Sequence, residues 1–359
     1  MGLDCASTMK EPTLNRRRFL HAAAGATAAS ALPANLFAAA SASRIPIGFL
    51  GLTHSHGPEK LRLLLKLTDF EVVGVCEQDA AARKTCEELG VKLLGQDELL
   101  ERSRVVAVES AVRDHAPHAL LALRAGKHVH VEKPPATNLE AMREMVTLAQ
   151  QKKLLLQSGY MWRYHPGFNA MIEAVRRGWL GEVFMVRASI TNNLAASRRS
   201  EWAEFKGGGM FELGAHLVDA MVRMMGKPKA ATPFLRHHGQ FDDSLKDNTL
   251  AVLEFERALA VITNSTMQAA ANPARNFEVL GTNGSAMLQP IEPPGLKFDL
   301  AKPAGPYQKG LQPVPLTYAR YQADFVELAA AVRGERSLSV SLEEELVIHE
   351  TVLRASNML

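Results

Sequence analysis

Between Ile45 and Gln157 the chain alternates short, unbroken apolar runs with helical stretches, and this alternation constrains its fold more than any other feature. The runs are Ile45–Leu50 (IPIGFL), Glu71–Cys76 (EVVGVC), Val105–Val108, His128–Val131 and Leu154–Gln157. Between them lie helical patterns at Glu59–Leu67 behind Pro58, at a stretch stopping before Gly90, at His115–Ala125 before Gly126, and at Leu139–Gln151. A strand that is apolar throughout is covered on both faces, and strands separated by helices pair in parallel. The pattern predicts a doubly wound α/β sheet of the dinucleotide-binding (Rossmann) type over residues 44–158. Thr137, with Glu140 three residues later, predicts a capping box at the last helix. Such sheets bind ligands beyond the carboxyl ends of their strands. Here those ends are Gly51–Gly57, Glu77, Glu109–Arg113 and Glu132–Pro134.

From residue 159 the pattern changes. Longer strand-like runs at Gly181–Ile190, Thr249–Phe255, Leu259–Met267, Phe277–Leu280 and Ala286–Gln289 are joined by turns such as Gly281-Thr282-Asn283-Gly284. They predict an α+β domain over 159–359 built on an open, mostly antiparallel sheet. Helices are expected at Pro166–Arg177, Leu213–Met225, Ala319–Val332 and Leu342–Ser356. The Pro- and Gly-bearing stretch Pro290–Pro315 reads as an excursion outside the core.

Residues 1–42 read differently again. Asn15-Arg16-Arg17-Arg18-Phe19-Leu20 precedes an Ala-rich stretch ending Ala40-Ser41-Ala42, the pattern of a twin-arginine signal peptide, and it predicts periplasmic or other export. Gly25, Pro33 and Asn35 interrupt the apolar run, so no membrane anchor is expected once it is removed. A net charge of +3, from 41 Lys and Arg against 38 Asp and Glu, is too small for a nucleic-acid-binding face. Cys5, Cys76 and Cys86 lack the number and spacing of a disulfide framework or a zinc site, and free thiols are expected.

The loop Gly51-Leu52-Thr53-His54-Ser55-His56-Gly57 stands where a Rossmann domain carries Gly-x-Gly-x-x-Gly, and it keeps the first glycine. A helix amino terminus follows, offering free N–H groups to a diphosphate. Glu77, after the second run, is placed either to accept hydrogen bonds from an adenosine ribose, which favours NAD over NADP, or to start a helix in solvent. The pairs His54/His56, His128/His130 and His237/His238 have no carboxylate or cysteine at ligand spacing along the chain, so no metal is expected.

Three segments carry the most chemistry: Ala125 to Pro134 (AGKHVHVEKP), Gly159 to Pro166 (GYMWRYHP) and Gly207 to Asp219 (GGGMFELGAHLVD). Their order and spacing resemble the Gfo/Idh/MocA family of nicotinamide-dependent oxidoreductases, which act on sugars and cyclitols. The resemblance implies that Lys133 binds the reacting hydroxyl beside the nicotinamide, that His216 is the catalytic histidine, and that Glu212 stands where the family usually has aspartate. It places Arg163 and His165 near substrate and nicotinamide and Asp219 near substrate. It puts Ser110 and Glu132 beside the cofactor, together with Gly51, Thr53, His54, Ser55, His56 and Glu77. Glu212 and His216, four apart on a helix, are expected to share a face, so that the carboxylate orients the imidazole.

The function expected is exported, NAD(P)-dependent hydride transfer from a sugar, cyclitol or related polyol, with a tightly held cofactor. Alternatives are an NAD-dependent glycoside hydrolase of the same fold or a sugar-binding protein that has lost the dinucleotide. A homo-oligomer is expected, because the open sheet face needs a cover.

Overall fold

The computed structural model describes residues 43–359, and the twin-arginine segment and Cys5 lie outside them. The first half is the expected strand–helix alternation: β1 (Ile45–Leu50), α1 (Gly57–Leu64), β2 (Phe70–Cys76), α2 (Ala80–Glu88), α3 (Gln96–Arg102), β3 (Val105–Val108), α4 (His115–Arg124), β4 (His128–Val131), α5 (Leu139–Lys152) and β5 (Leu156–Ser158). All five strands are parallel in the order β2-β1-β3-β4-β5. β3 is buried at every residue, as a strand covered on both faces must be. The cap of α5 differs from expectation: Asn138, not Thr137, is the N-cap, its side chain accepting from the Ala141 amide at 2.9 Å.

The second half comprises α6 (Pro166–Arg176), β6 (Val183–Thr191), the short α7 (Arg199–Ala203), a wide π-helical turn at Met210–Gly214 that runs directly into α8 (Ala215–Met225), β7 (Ala230–Arg236), β8 (Asn248–Glu254), β9 (Leu259–Ser265), the single turn α9 (Ala271–Ala274), β10 (Asn276–Gly281), β11 (Gly284–Leu288), β12 (Leu296–Leu300), β13 (Gly310–Val314), α10 (Gln322–Val332) and α11 (Leu342–Ala355). Eight strands form one sheet, β13-β12-β11-β10-β6-β9-β8-β7, antiparallel except where β6 meets β9. Gly281 pairs with Gly284 across the expected two-residue turn.

One expectation is corrected. Pro290–Pro315 is not an excursion: it supplies β12 and β13, and Leu296, Phe298 and Leu300 alternate inward into the core. Its prolines stand in the turns and on the edge strand β13, where a missing N–H costs no ladder bond. β7, which the sequence pattern did not mark, forms the opposite edge. Cys76 and Cys86 are free thiols. Among the described residues no helix is long and apolar enough to cross a membrane.

Candidate active site

The loop after β1 turns on Gly51 at φ +78°, so close to the loop after β3 that a Cβ there would meet the Ser110 Cβ at 2.4 Å. Glu77, at the end of β2, accepts from the Leu52 amide at 2.6 Å and from the Gln78 and Asp79 amides. That carboxylate ties the two strand ends together. The amides of Thr53 and Ser55, both exposed, have no acceptor among the described residues, and α1 begins just beyond them with Pro58 in its first turn. Free amides at a helix amino terminus beside a carboxylate at the next strand end suit a dinucleotide, the amides for its diphosphate and Glu77 for its ribose. His115 sits between the carbonyl oxygens of Ser110 and Pro134, at 3.0 and 2.8 Å, and locks the ends of β3 and β4.

The fold supplies a carboxylate that the spacing of His54 and His56 did not predict. Glu132 Oε1 lies 3.1 Å from His56 Nδ1 and 3.9 Å from His54 Nδ1. These donor atoms all lie within 4.8 Å of one another, a spacing a metal ion can bridge. The other Glu132 oxygen is held by the Lys60 ammonium, which also donates to Glu109 at 2.7 Å and is 3.0 Å from His130 Nε2. Lys60 already neutralises Glu132, and His56 occupies its remaining face. The trio therefore acts as a hydrogen-bonded anchor for the loop. Burial works against the Lys60 charge, but Glu109 and Glu132 outweigh it and raise its pKa. Sequence reasoning missed Lys60. The signal was present: α1 buries Gly57, Lys60, Leu61 and Leu64, so one charge stands in an apolar stripe.

Beyond these strand ends lies a cavity of about 180 Å³ closed by the second half of the chain. Lys133, Glu212 and His216 line it, with Trp162, Trp202 and Asn192. A larger groove of about 530 Å³ opens at the amino-terminal ends of β1 and β2, the wrong end of a parallel sheet for a ligand. Lys133 Nζ donates to the Glu212 carbonyl oxygen at 2.9 Å and stands 3.9 Å from its carboxylate. Glu212 makes no hydrogen bond to His216, contrary to expectation. The π-helical turn at 210–214 winds wider than an α-helix, so residues four apart no longer share a face. Burial pushes the Glu212 carboxyl up to about 7, against the opposing pull of Lys133. His216 packs edge-on against Tyr160 and beside Trp162, ring centroids 5.9 and 5.0 Å away, and its Nδ1 is enclosed without a partner. Burial, reinforced by the Lys133 charge, holds its pKa well below the ordinary value, so the imidazole is neutral near pH 7.

Arg163, His165 and Asp219 stand elsewhere. Arg163 is 2 % exposed, with its Nε on Asp219 at 2.9 Å and its two Nη groups on Glu345 at 2.5 and 2.8 Å. His165 caps α6 by accepting from the Gly167 amide, and its Nε2 lies 2.8 Å from the Ile291 carbonyl oxygen. All three are fully engaged behind the cavity wall, and none lines the cavity. Residues close in sequence to a site can be the frame that holds it.

Two family models match this chain. One is the oxidoreductase family with an NAD-binding Rossmann fold, over residues 45–160; the other is the GFO/IDH/MocA C-terminal domain, over 168–287. The chain belongs to the Gfo/Idh/MocA oxidoreductase family. It is an enzyme of the NAD-binding oxidoreductase type. Among relatives, the trans-1,2-dihydrobenzene-1,2-diol dehydrogenase of Bos taurus is 29% identical over 246 residues, covering 66% of this chain and 71% of that protein. The D-glucoside 3-dehydrogenase of Escherichia coli (strain K12) is 28% identical over 249 residues, 62% of this chain and 70% of that one. Of solved structures, GenD2 from gentamicin A biosynthesis, in complex with NAD, superposes with a TM-score of 0.75 at 21% identity, covering 89% of this chain and 95% of that one. The likeness is one of fold.

Proposed function

We propose that the protein oxidises a secondary hydroxyl of a sugar, cyclitol or related polyol, with NAD favoured over NADP. The observation that carries this is the convergence of Lys133, Glu212 and His216 on one cavity at the carboxyl ends of the parallel strands. The relatives named as a glucoside 3-dehydrogenase and a dihydrodiol dehydrogenase support hydroxyl-bearing ring substrates. The loop Gly51–Gly57 with Glu77 would hold the dinucleotide, and the Glu77 carboxylate would repel a 2′-phosphate. When bound, the nicotinamide supplies the hydride acceptor.

The chain's own residues handle the proton and the charge. Neutral His216 is ready to take the hydroxyl proton. Lys133, fixed by the Glu212 carbonyl, steadies the oxyanion as it develops. Trp162 and Trp202 offer apolar faces for a sugar ring. Near pH 7 Glu212 stands close to half protonated, so it leaves the Lys133 charge only partly neutralised.

Export by the twin-arginine leader would place the enzyme away from the cytoplasmic nicotinamide pool, so the cofactor is held tightly and recycled on paired substrates. The outer face of the second sheet, with Met185, Val261 and Met287 half-buried beside Arg187 and Glu278, would seat a second copy in a homo-oligomer. Mass spectrometry of the gently denatured protein tests the central claim. About one NAD(H) per chain, with reduction at 340 nm on adding a hexose, cyclitol or glycoside, is the expected result. No dinucleotide, and no binding of added NAD or NADP, overturns it.

A further inference from the structure

The cavity carries more positive charge than its carboxylates balance. Besides Lys133 it is lined by Arg198, Arg275 and Arg320, against Glu212 alone. Two of the arginines have partners just outside: Arg198 pairs with Glu201 at 3.1 Å and Arg320 with Glu292 at 2.5 Å. Arg275 has none. Its Nε donates to the Thr191 carbonyl oxygen at 2.8 Å, which fixes the guanidinium plane. Its two Nη groups find no acceptor among the described residues, and no carboxylate lies within ion-pair distance of it. A guanidinium keeps its charge in proteins and offers two parallel N–H groups from its Nη atoms. Half-buried in the cavity lining, with its plane fixed and its Nη groups unpaired, Arg275 has the geometry to receive an oxyanion.

The dinucleotide is the obvious rival for that charge. Its diphosphate cradle is the loop Gly51–Gly57 with α1, whereas Arg275 stands on the second sheet, at the start of β10, held against β6. Arg320 is closer to that cradle, with Glu59 of α1 in its field, but Glu292 already holds it. The positive charge without a partner is on the substrate side.

We infer that the substrate is an acidic sugar, carrying a carboxylate or a sulfate or phosphate ester that Arg275 binds through its Nη groups while its carbinol faces Lys133 and His216. This rests on the sugar-oxidising reading above and names its substrate class. Trp162 and Trp202, two of the chain's three tryptophans, line the cavity, so tryptophan fluorescence reports occupancy without turnover.

The test titrates the full protein, saturated with NAD, with glucuronate, galacturonate and mannuronate, with glucose 6-sulfate and glucose 6-phosphate, and with the matching neutral hexoses. At least one acid should bind about 10- to 100-fold tighter than its neutral counterpart, the scale of a charge-assisted hydrogen-bond pair. Arg275→Gln should close that gap, and Arg275→Lys, which keeps charge but not the fork, should retain part of it. The carboxylate and ester arms decide which oxyanion is taken. Neutral sugars binding as well as every acid, a gap that survives in Arg275→Gln, or an acid that competes with NAD would each overturn the inference. The oxidoreductase reading fails separately, by absence of NAD binding or of its reduction by any sugar of either class.

Discussion

Replacing Arg163 by Met discriminates a residue of the site from a residue of its frame. The guanidinium is enclosed, with Asp219 on its Nε and Glu345 on both Nη groups. Removing one partner of a buried ion pair typically costs roughly 3–5 kcal/mol, because a charge remains buried without compensation. Here two carboxylates remain. Asp219 keeps only Arg223 at 3.9 Å, and Glu345 keeps the Ser158 amide at 3.0 Å. The upper end of that range is therefore expected, about 5 kcal/mol, which for a chain of this size lowers Tm by roughly 7 °C. The pH dependence has a definite sign. In the wild type, burial pushes the Glu345 carboxyl up but Arg163 outweighs it and holds the pKa low. Without Arg163, burial raises the folded-state pKa above the unfolded one. The variant is then penalised above the unfolded value and recovers as pH falls, so its deficit should be smaller at pH 5 than at pH 8. Calorimetric melts at the two pH values measure this, and adding Glu345→Gln to the variant should restore part of the loss. Below both melting temperatures, KM for the sugar should stay near that of the wild type. A variant that melts within about 2 °C of wild type while KM rises would refute the reasoning and return Arg163 to the substrate.

His216→Ala should lower kcat by about 10²- to 10⁴-fold, the range for a positioned general base, with NAD still bound and Tm little changed; near-wild-type turnover would remove the histidine from the mechanism. Glu212→Gln should flatten the stability profile. With a folded pKa of about 7 against 4.5 for the free carboxyl, wild-type stability falls as pH rises from about 4.5 to 7 and stays reduced above. The variant should gain up to roughly 3 kcal/mol over wild type at pH 8 and little at pH 4. Equal Tm differences at both pH values would show that the Glu212 carboxyl is not perturbed.

The parallel sheet was legible because its signal is local. Strands buried on both faces must be apolar at every position, and each helix between them carries its own start and stop. The Lys133 and His216 segments were singled out by the order and spacing of their motifs, and the fold brings both to the same cavity. What failed were inferences that carried one-dimensional spacing into space. Glu212 and His216 are four apart, yet a wide helical turn separates their directions. His54 and His56 have no acid near them in sequence, yet two parallel strands place Glu132 between them. β12 and β13 hide in a Pro-rich stretch because edge pairing needs only every second residue to be apolar, a weak pattern that tertiary pairing completes. Arg163 reads as a ligand-binding residue by position. Only packing shows that Asp219 and Glu345, 56 and 182 residues away, consume its charge. Arg275 is the converse: nothing in its sequence surroundings marks it, and its importance lies in the partner it lacks. Local hydrogen bonding and hydrophobic pattern are written residue by residue, so sequence alone determined the elements and their class. Whether a charge is satisfied depends on groups far away along the chain, and that only the tertiary structure decided.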